Sequence, residues 1–215
     1  MSIALREIPE FATEPVILPP LPVYRFSVAQ YHRLLEEGIL NAEDRVELLQ
    51  GWIVTKMPRK PPHNGSITRI NRRLLRVLPD EWLLRVQSAV TLRKSEPEPD
   101  FAIVGGPEEV YFRRHPLPRD VGLIIEVADS TLLDDRRYKS QLYAQARIPE
   151  YWILNLVDAK VEVYTEPRGG KSPAYRQRRD YGKDEVIPLV LRGAPIAQIP
   201  VRELLPTYRV EFKSR

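Results

Sequence analysis

Residues 121–163 restrict the possible folds of this chain more than any other stretch. Val121–Val127 is a run of apolar residues typical of a strand buried on both faces, and only Glu126 interrupts it. A segment with helical spacing follows, and Glu150–Leu156 is a second apolar strand. Strand, helix and strand in this order form a βαβ unit, so the two strands are predicted to be parallel neighbours in one sheet.

Glu126 requires a partner inside this unit, because burying a lone carboxylate costs several kcal/mol unless a cation meets it. Asp134 and Asp135 are predicted as N-caps of the helix. The apolar residues of that helix define its inward face: Leu142, Tyr143 and Ala146. One helical step back along this face lies Lys139, which is therefore predicted to face Glu126 across the helix–sheet interface.

The rest of the chain is predicted to add helices and strands around this unit. These elements are a helix capped by Ser27 and Gln30 and ended by Gly38, a hairpin over Arg45–Met57 that turns at Gln50-Gly51, a helix over His63–Leu78, and strands over Leu83–Leu92, Phe101–Val104 and Val161–Thr165. Trp52, Trp82 and Trp152 lie in apolar stretches and are predicted to be core residues. The pattern indicates an α/β fold.

Composition indicates an ordinary globular protein of one domain, with 215 residues, 43% hydrophobic and 29% charged. Residues 1–22 contain five prolines and are predicted to form an extended strap or tail before a domain over 23–215. The chain has no cysteine, which excludes disulfides and thiolate metal sites. The start lacks signal-peptide character, and no apolar run approaches the roughly 20 residues of a membrane span, so the expected location is cytoplasmic.

Residues 166–183 carry the basic character of the protein. This segment has six basic and two acidic residues, an excess equal to the net charge of +4 for the whole chain. Tyr175 and Tyr181 lie among the basic residues, as in nucleic-acid-binding surfaces. Three arginines are predicted to contact phosphates: Arg176, Arg178 and Arg179. A solvated loop without a ligand is the alternative interpretation.

Pro99-Asp100 precedes one strand, Glu126 lies late in the next, and a lysine follows downstream. This order resembles the PD-(D/E)XK nuclease superfamily. The chain more closely resembles the Uma-type family of restriction-endonuclease-like proteins, over roughly residues 24–165. The segments that carry this likeness are VELLQGWIV, PPHNGSITRINRRL, PDFAIV, LIIEVADST with DRRYKSQLYAQARIPEYWIL, and VEVY.

The resemblance implies a restriction-endonuclease-like mixed β-sheet flanked by helices. It also implies a divalent metal, Mg²⁺ or Mn²⁺, held by Asp100 and Glu126. Nucleases of this superfamily usually have a lysine two positions after the glutamate, where this chain has Ala128. In the Uma-type pattern the following helix supplies the lysine, which here is Lys139.

Glu47 matches the family's E-L-x-x-G hairpin and is a candidate additional metal ligand, and His63 and Gln87 match weaker family positions as possible accessory residues. Each candidate also has a structural interpretation. Asp100 could cap a turn, and Glu126 could form a structural ion pair with Lys139. The lysine could instead extend along the core to solvent. Glu47 could be a solvated strand residue, and His63 a turn residue.

The sequence therefore favours a metal-dependent DNA endonuclease that hydrolyses phosphodiester bonds. Mg²⁺ prefers a few carboxylates and keeps several waters, which suits two acids at neighbouring strand ends. A non-catalytic nucleic-acid-binding or interaction module on the same fold is the alternative, and hydrolysis of another phosphate ester or another nucleic acid is a third possibility. Catalysis requires Asp100, Glu126 and Lys139 to converge. The oligomeric state stays open, with a homodimer among the possibilities.

Overall fold

The computed structural model of the chain describes residues 23–206, so the predicted strap over residues 1–22 lies outside the described residues. The strands of the described part are β1 (Val46–Leu49), β2 (Trp52–Thr55), β3 (Trp82–Val86), β4 (Phe101–Gly105), β5 (Val121–Ala128), β6 (Glu150–Asn155), β7 (Lys160–Arg168), β8 (Ala174–Gly182), β9 (Val186–Leu191) and β10 (Ala194–Pro200). Its α-helices are α1 (Val28–Glu36), α2 (Pro61–Leu74), α3 (Leu132–Asp134) and α4 (Ser140–Gln145), with a π-helical turn over Asp135–Lys139 between the last two. No helix within residues 23–206 is long and apolar enough to cross a membrane.

Six strands form the central sheet, in the order β3-β4-β5-β6-β7-β8. β5 and β6 run parallel, with Glu126 opposite Ile153, and every other neighbouring pair in this sheet is antiparallel. β5 is buried along its whole length, as expected for a central strand covered on both faces. The predicted βαβ unit is therefore confirmed, including the parallel pairing of its strands.

The two faces of the sheet pack against different elements. Ile125 and Val127 of β5 join a core that includes Ile70 of α2 and the hairpin β9–β10. Ile124 and Ala128 join a second core that includes Tyr143 of α4. Side chains alternate between the faces of a strand, so Glu126 shares the α4 face with its even-numbered neighbours. This alternation positions the carboxylate under the helix that follows β5.

The remaining predicted elements form, with some different ends. The capping box of Ser27 and Gln30 begins α1, and β1 and β2 pair as the predicted hairpin. β3 stops at Val86 because Gln87 takes a left-handed φ of 48°, which turns the chain out of the sheet. α2 begins two residues earlier than predicted, because the fixed φ of Pro61 suits the first position of a helix.

The prediction that all three tryptophans are core residues is wrong for one of them. Trp82 and Trp152 are buried, but Trp52 is 39% exposed. β1 and β2 form a separate two-stranded sheet, and the first and last residues of β2, Trp52 and Thr55, are exposed. Hydrophobicity of a hairpin does not tell which of its faces the rest of the chain covers.

The predicted N-caps after β5 are also wrong. The helical segment begins earlier, at Leu132, and Asp134 and Asp135 lie inside it. Asp135 is buried and accepts a hydrogen bond of 2.7 Å from the hydroxyl of Thr131. The π-helical turn that follows is an uncommon conformation, which recurs at functional sites in proteins.

The basic segment over residues 166–183 is not a solvated loop. β7 extends through Arg168, three residues beyond its predicted end, and pairs with β8 as an antiparallel ribbon. β8 is the edge strand of the central sheet, and most of its side chains are exposed. The chain then forms β9 and β10, a separate hairpin that covers part of the α2 face.

Candidate active site

Asp100 and Glu126 lie at one end of the central sheet, in a cleft of about 670 Å³. Asp100 immediately precedes β4, and Glu126 lies near the end of the antiparallel neighbour β5, so the pairing of the two strands brings the carboxylates together. The backbone N–H of Val127 donates to Asp100 Oδ2 at 2.9 Å, and that of Asp100 lies 3.4 Å from Glu126 Oε2. Both side chains are buried.

Lys139 reaches the same cleft from the π-helical turn. Its Nζ donates to Glu126 Oε1 at 2.9 Å and lies 3.9 Å from Asp135 Oδ1. The hydroxyl of Tyr143, one helical turn further along, donates to the same Glu126 oxygen at 2.8 Å. The inward stripe predicted for this helix therefore faces the sheet as expected. It brings together the three residues on which the catalytic hypothesis depends.

The two carboxyl groups titrate in opposite directions from their ordinary values. Burial raises the pKa of Glu126, and the charges of Asp100 and Asp135 add to that rise, against the opposing effect of Lys139. Burial would also raise the pKa of Asp100, but the hydrogen bond and charge of His63, the backbone N–H of Val127 and the charge of Lys139 together outweigh it, so that pKa is lowered. Two neighbouring acids separated in pKa are typical of catalytic sites, although structural ion pairs produce the same effect.

The accessory positions surround Asp100. His63 Nε2 lies 3.0 Å from Asp100 Oδ2, and Gln87 Nε2 lies 3.4 Å from Oδ1. Glu47 also lines the cleft, but its Oε2 accepts the backbone N–H of Glu98 at 3.0 Å. His63 is thus more than a turn residue, and it orients the carboxylate of Asp100.

The donor set fits a hard divalent cation that keeps most of its waters. No group of three or more acidic or histidine side chains within residues 23–206 is arranged to hold a metal ion. Mg²⁺, however, is commonly bound through only one or two carboxylates. Asp100 Oδ1 and Glu126 Oε2 have only long contacts, of 3.4 Å or more. These two oxygens are therefore available to such an ion.

Two residues of the cleft and one residue behind it have no role at the site in the sequence prediction. The helical spacing predicts Tyr143, which contacts Glu126 but does not line the cleft, only as a core residue, and it predicts Asp135 only as a helix cap. Asp129 follows directly after β5, is buried and lines the cleft, but it lies outside the recognised motif. Its Oδ2 and the Nδ1 of His63 are buried atoms without a hydrogen-bond partner in the described structure. The signal for Asp129 was its place just beyond the end of a buried strand.

A second ionic cluster holds the turn that carries Lys139. Arg136, on the same π-helical turn, donates through Nε to both oxygens of Glu162 on β7, at 3.0 and 3.2 Å. Glu162 is fully buried and also accepts from Asn155 at 2.8 Å and Tyr164 at 2.9 Å. We call Arg136 and Glu162 the clamp. It ties the turn to the sheet through a pair of residues 26 positions apart.

The three arginines predicted to contact phosphates do not form one patch. Arg178 is engaged by Asp180, at 2.7 and 2.9 Å, and lies 3.1 Å from Glu162. Arg179 points to the opposite face of β8, since strand neighbours alternate, and its guanidinium lies 4.4 Å from the ring centre of Tyr181. Arg176 is exposed.

Comparison with known proteins bears on this arrangement. The model of the Uma2 family, described as "Putative restriction endonuclease", matches residues 28–198. The chain belongs to this family. Membership indicates a nuclease, and the family resemblance seen in the sequence is confirmed. No curated protein matches the chain in sequence.

A solved structure supports the fold. The crystal structure of a protein from Anabaena variabilis ATCC 29413, described as a putative nuclease belonging to DUF820, superposes with a TM-score of 0.62. The two sequences are 14% identical, and the match covers 83% of this chain and 97% of the other. The predicted restriction-endonuclease-like fold, a mixed sheet flanked by helices, is confirmed.

Proposed function

We propose that this Uma2 protein is a metal-dependent DNA endonuclease that hydrolyses phosphodiester bonds in the cleft of Asp100, Glu126 and Lys139. One observation carries the proposal: a lysine amine and two buried carboxylates from three different elements converge there, with Lys139 Nζ 2.9 Å from Glu126 Oε1. Burying several charged groups together is costly even when they pair, and a cluster of such groups in a cleft is typical of functional sites.

Asp100 and Glu126 would hold Mg²⁺ or Mn²⁺. When bound, such an ion supplies an activated water and stabilises charge on the phosphate oxygens. Lys139 is placed to orient that water or to stabilise the developing charge. Tyr143 fixes Glu126 through Oε1, and His63 fixes Asp100 through Oδ2, so the less engaged oxygen of each acid faces the ligand.

A non-catalytic nucleic-acid-binding module is the second candidate, and the contact between Lys139 and Glu126 is what favours it. The lysine alone can neutralise the buried glutamate without a metal. The two candidates differ in what the carboxylates do. In a binding module their replacement changes stability, whereas in a nuclease it removes metal binding and turnover.

The test measures metal binding and cleavage on the same preparations. We expect the wild type to bind Mn²⁺ in calorimetry and to cut DNA with Mg²⁺ or Mn²⁺ but not with EDTA. Asp100→Asn and Glu126→Gln should lose both properties. Glu43→Gln, at an exposed acid outside the cleft, is the matched control. Equal metal binding by the wild type and both cleft variants would contradict the proposed site.

A further inference from the structure

Three large apolar side chains are exposed around the cleft instead of being buried. Trp52 is 39%, Met57 63% and Tyr138 69% exposed, and all three line the cleft that contains Asp100 and Glu126. We call them the rim. Exposed aromatic groups that cluster beside a polar site are typical of ligand-contacting surfaces. The rim therefore suits a ligand with flat, apolar faces.

Cationic groups lie next to these aromatic rings. The guanidinium of Arg25 lies 4.9 Å from the ring centre of Trp52. Arg59 lines the cleft with a partly exposed side chain. Tyr138 directly precedes Lys139 on the π-helical turn. Aromatic faces interleaved with cations are the arrangement with which proteins bind single-stranded nucleic acid.

The charge of the cleft is unfavourable for a duplex. Seven acidic side chains line it against three lysines or arginines. Each of those three cations has a carboxylate nearby: Lys56 pairs with Glu98, Lys139 pairs with Glu126, and Arg59 lies 3.9 Å from Asp100. Duplex binding depends mainly on cations that face the phosphates, because the bases are stacked inside the helix, whereas an unpaired strand can also stack its bases on exposed aromatic side chains.

We infer that the substrate enters this cleft as an unpaired DNA strand, with bases stacked on Trp52 and Tyr138 and one phosphate at Asp100 and Glu126. This inference rests on the proposed function and narrows it to single-stranded DNA or unpaired regions of a duplex. In this arrangement the rim makes most of the contacts with the DNA strand. The phosphate approaches Asp100 and Glu126 together with the divalent cation that these carboxylates would hold.

The binding test compares a labelled single strand of about 12 nucleotides with its duplex, a length within the site sizes of single-strand-binding OB-fold domains. Fluorescence anisotropy with Ca²⁺ in place of Mg²⁺ reports the Kd. We expect the single strand to bind at least tenfold more tightly. Trp52→Ala and Tyr138→Ala should each weaken its binding by about tenfold, the scale of one lost stacking contact. Phe112→Ala, at an aromatic residue that is 83% exposed away from the cleft, is the control.

Tryptophan fluorescence gives an independent measurement at the rim. Trp82 and Trp152 are buried, with 8% and 0% exposure, so quenching by an added strand should come from Trp52. Trp52→Phe should keep the affinity, because phenylalanine also stacks, and should lose the quenching. Retained affinity in Trp52→Phe would show that the weaker binding of Trp52→Ala comes from lost stacking and not from damage to the hairpin β1–β2.

The outcomes distinguish the inference from the proposed function. Equal or tighter binding and faster cutting of the duplex, with both alanine variants unchanged, would overturn the inference and leave the nuclease in place. A wild type that binds the single strand through the rim but cuts neither form with Mg²⁺ or Mn²⁺ would overturn the proposed function and support the rim.

Discussion

Replacement of Lys139 by methionine separates a catalytic lysine from a structural one. The change keeps the length of the side chain and removes its charge. Lys139 contacts Glu126 at 2.9 Å, and the two side chains are only 18% and 4% exposed. If the lysine only neutralises this glutamate, its loss leaves a buried carboxylate without its partner.

The magnitude follows from that burial. Breaking a buried ion pair by removing one partner lowers the free energy of unfolding by about 3–5 kcal/mol. Burial already raises the pKa of Glu126 with the lysine present, so the carboxyl can take up a proton in the variant, and the loss should lie near the lower value. A bound divalent ion would neutralise Glu126 instead. In saturating Mg²⁺ we therefore expect Lys139→Met to fold as the wild type does. Its cleavage rate should fall by about 10²–10⁴, the scale for a lost acid–base group.

The assay combines thermal unfolding, with and without Mg²⁺, and single-turnover cleavage of single-stranded and plasmid DNA. Arg137→Met is the matched control, because Arg137 is an exposed cation on the same π-helical turn. It should leave both the melting temperature and the rate unchanged. Calorimetry with Mn²⁺ should show that Lys139→Met still binds metal.

A well-folded Lys139→Met variant that cuts at the wild-type rate would refute the catalytic role. A variant that unfolds even in saturating Mg²⁺ would show that the lysine, and not a metal, neutralises Glu126. Only retained folding with retained metal binding and a slow reaction agrees with the proposed mechanism.

Three further predictions concern the surroundings of the cleft. Glu162→Gln should slow cleavage and lower the free energy of unfolding by about 3 kcal/mol, measured in urea, because it removes the charge that holds Arg136. Burial raises the pKa of Glu150 from 4.5 to about 7, so its contribution to stability is complete below pH 4.5 and is lost as pH rises through 7. Glu150→Gln should therefore be more stable than the wild type at pH 8, by about 3 kcal/mol, and should show no gain at pH 4 in urea titrations. Arg176→Ala should reduce the salt dependence of DNA binding by about 0.7 in log–log slope on single strands. Arg178→Ala should instead reduce stability, since its partners are within the protein; an equal change of slope in both variants would contradict this distinction.

The features that could be predicted from the sequence are those fixed by local periodicity. The apolar run Val121–Val127 predicts a strand buried on both faces that carries Glu126, and the helical spacing of Leu142, Tyr143 and Ala146 predicts the face of Lys139. A short crossover then brings these two faces together, because a βαβ unit has one common arrangement. The site and its central strands follow from relations within about 40 residues of sequence.

The features that could not be predicted depend on contacts between distant segments. In the sequence, Arg178 looks like a free cation on a basic strand. In the structure it contacts Glu162 on the neighbouring strand β7, and this contact depends on the register of the two strands, which the sequence does not reveal. Trp52 reads as a core residue, but the small sheet that carries it leaves that side chain uncovered. Composition gives the number of charged and apolar side chains, but it does not tell which charges are paired or which apolar groups are buried in the folded protein.

The position of Lys139 depends both on local periodicity and on contacts between distant segments. Ala128 occupies the strand position where the superfamily pattern has a lysine, and it is fully buried on the same face as Glu126. A helix-borne amine can replace a strand-borne one only if the helix is fixed against the sheet. Five residues in a π-helical turn set the direction of Lys139, and the clamp of Arg136 and Glu162 anchors that turn to β7. An ion pair outside the cleft therefore anchors the turn that carries Lys139, and this is why we expect Glu162→Gln to affect cleavage as well as stability.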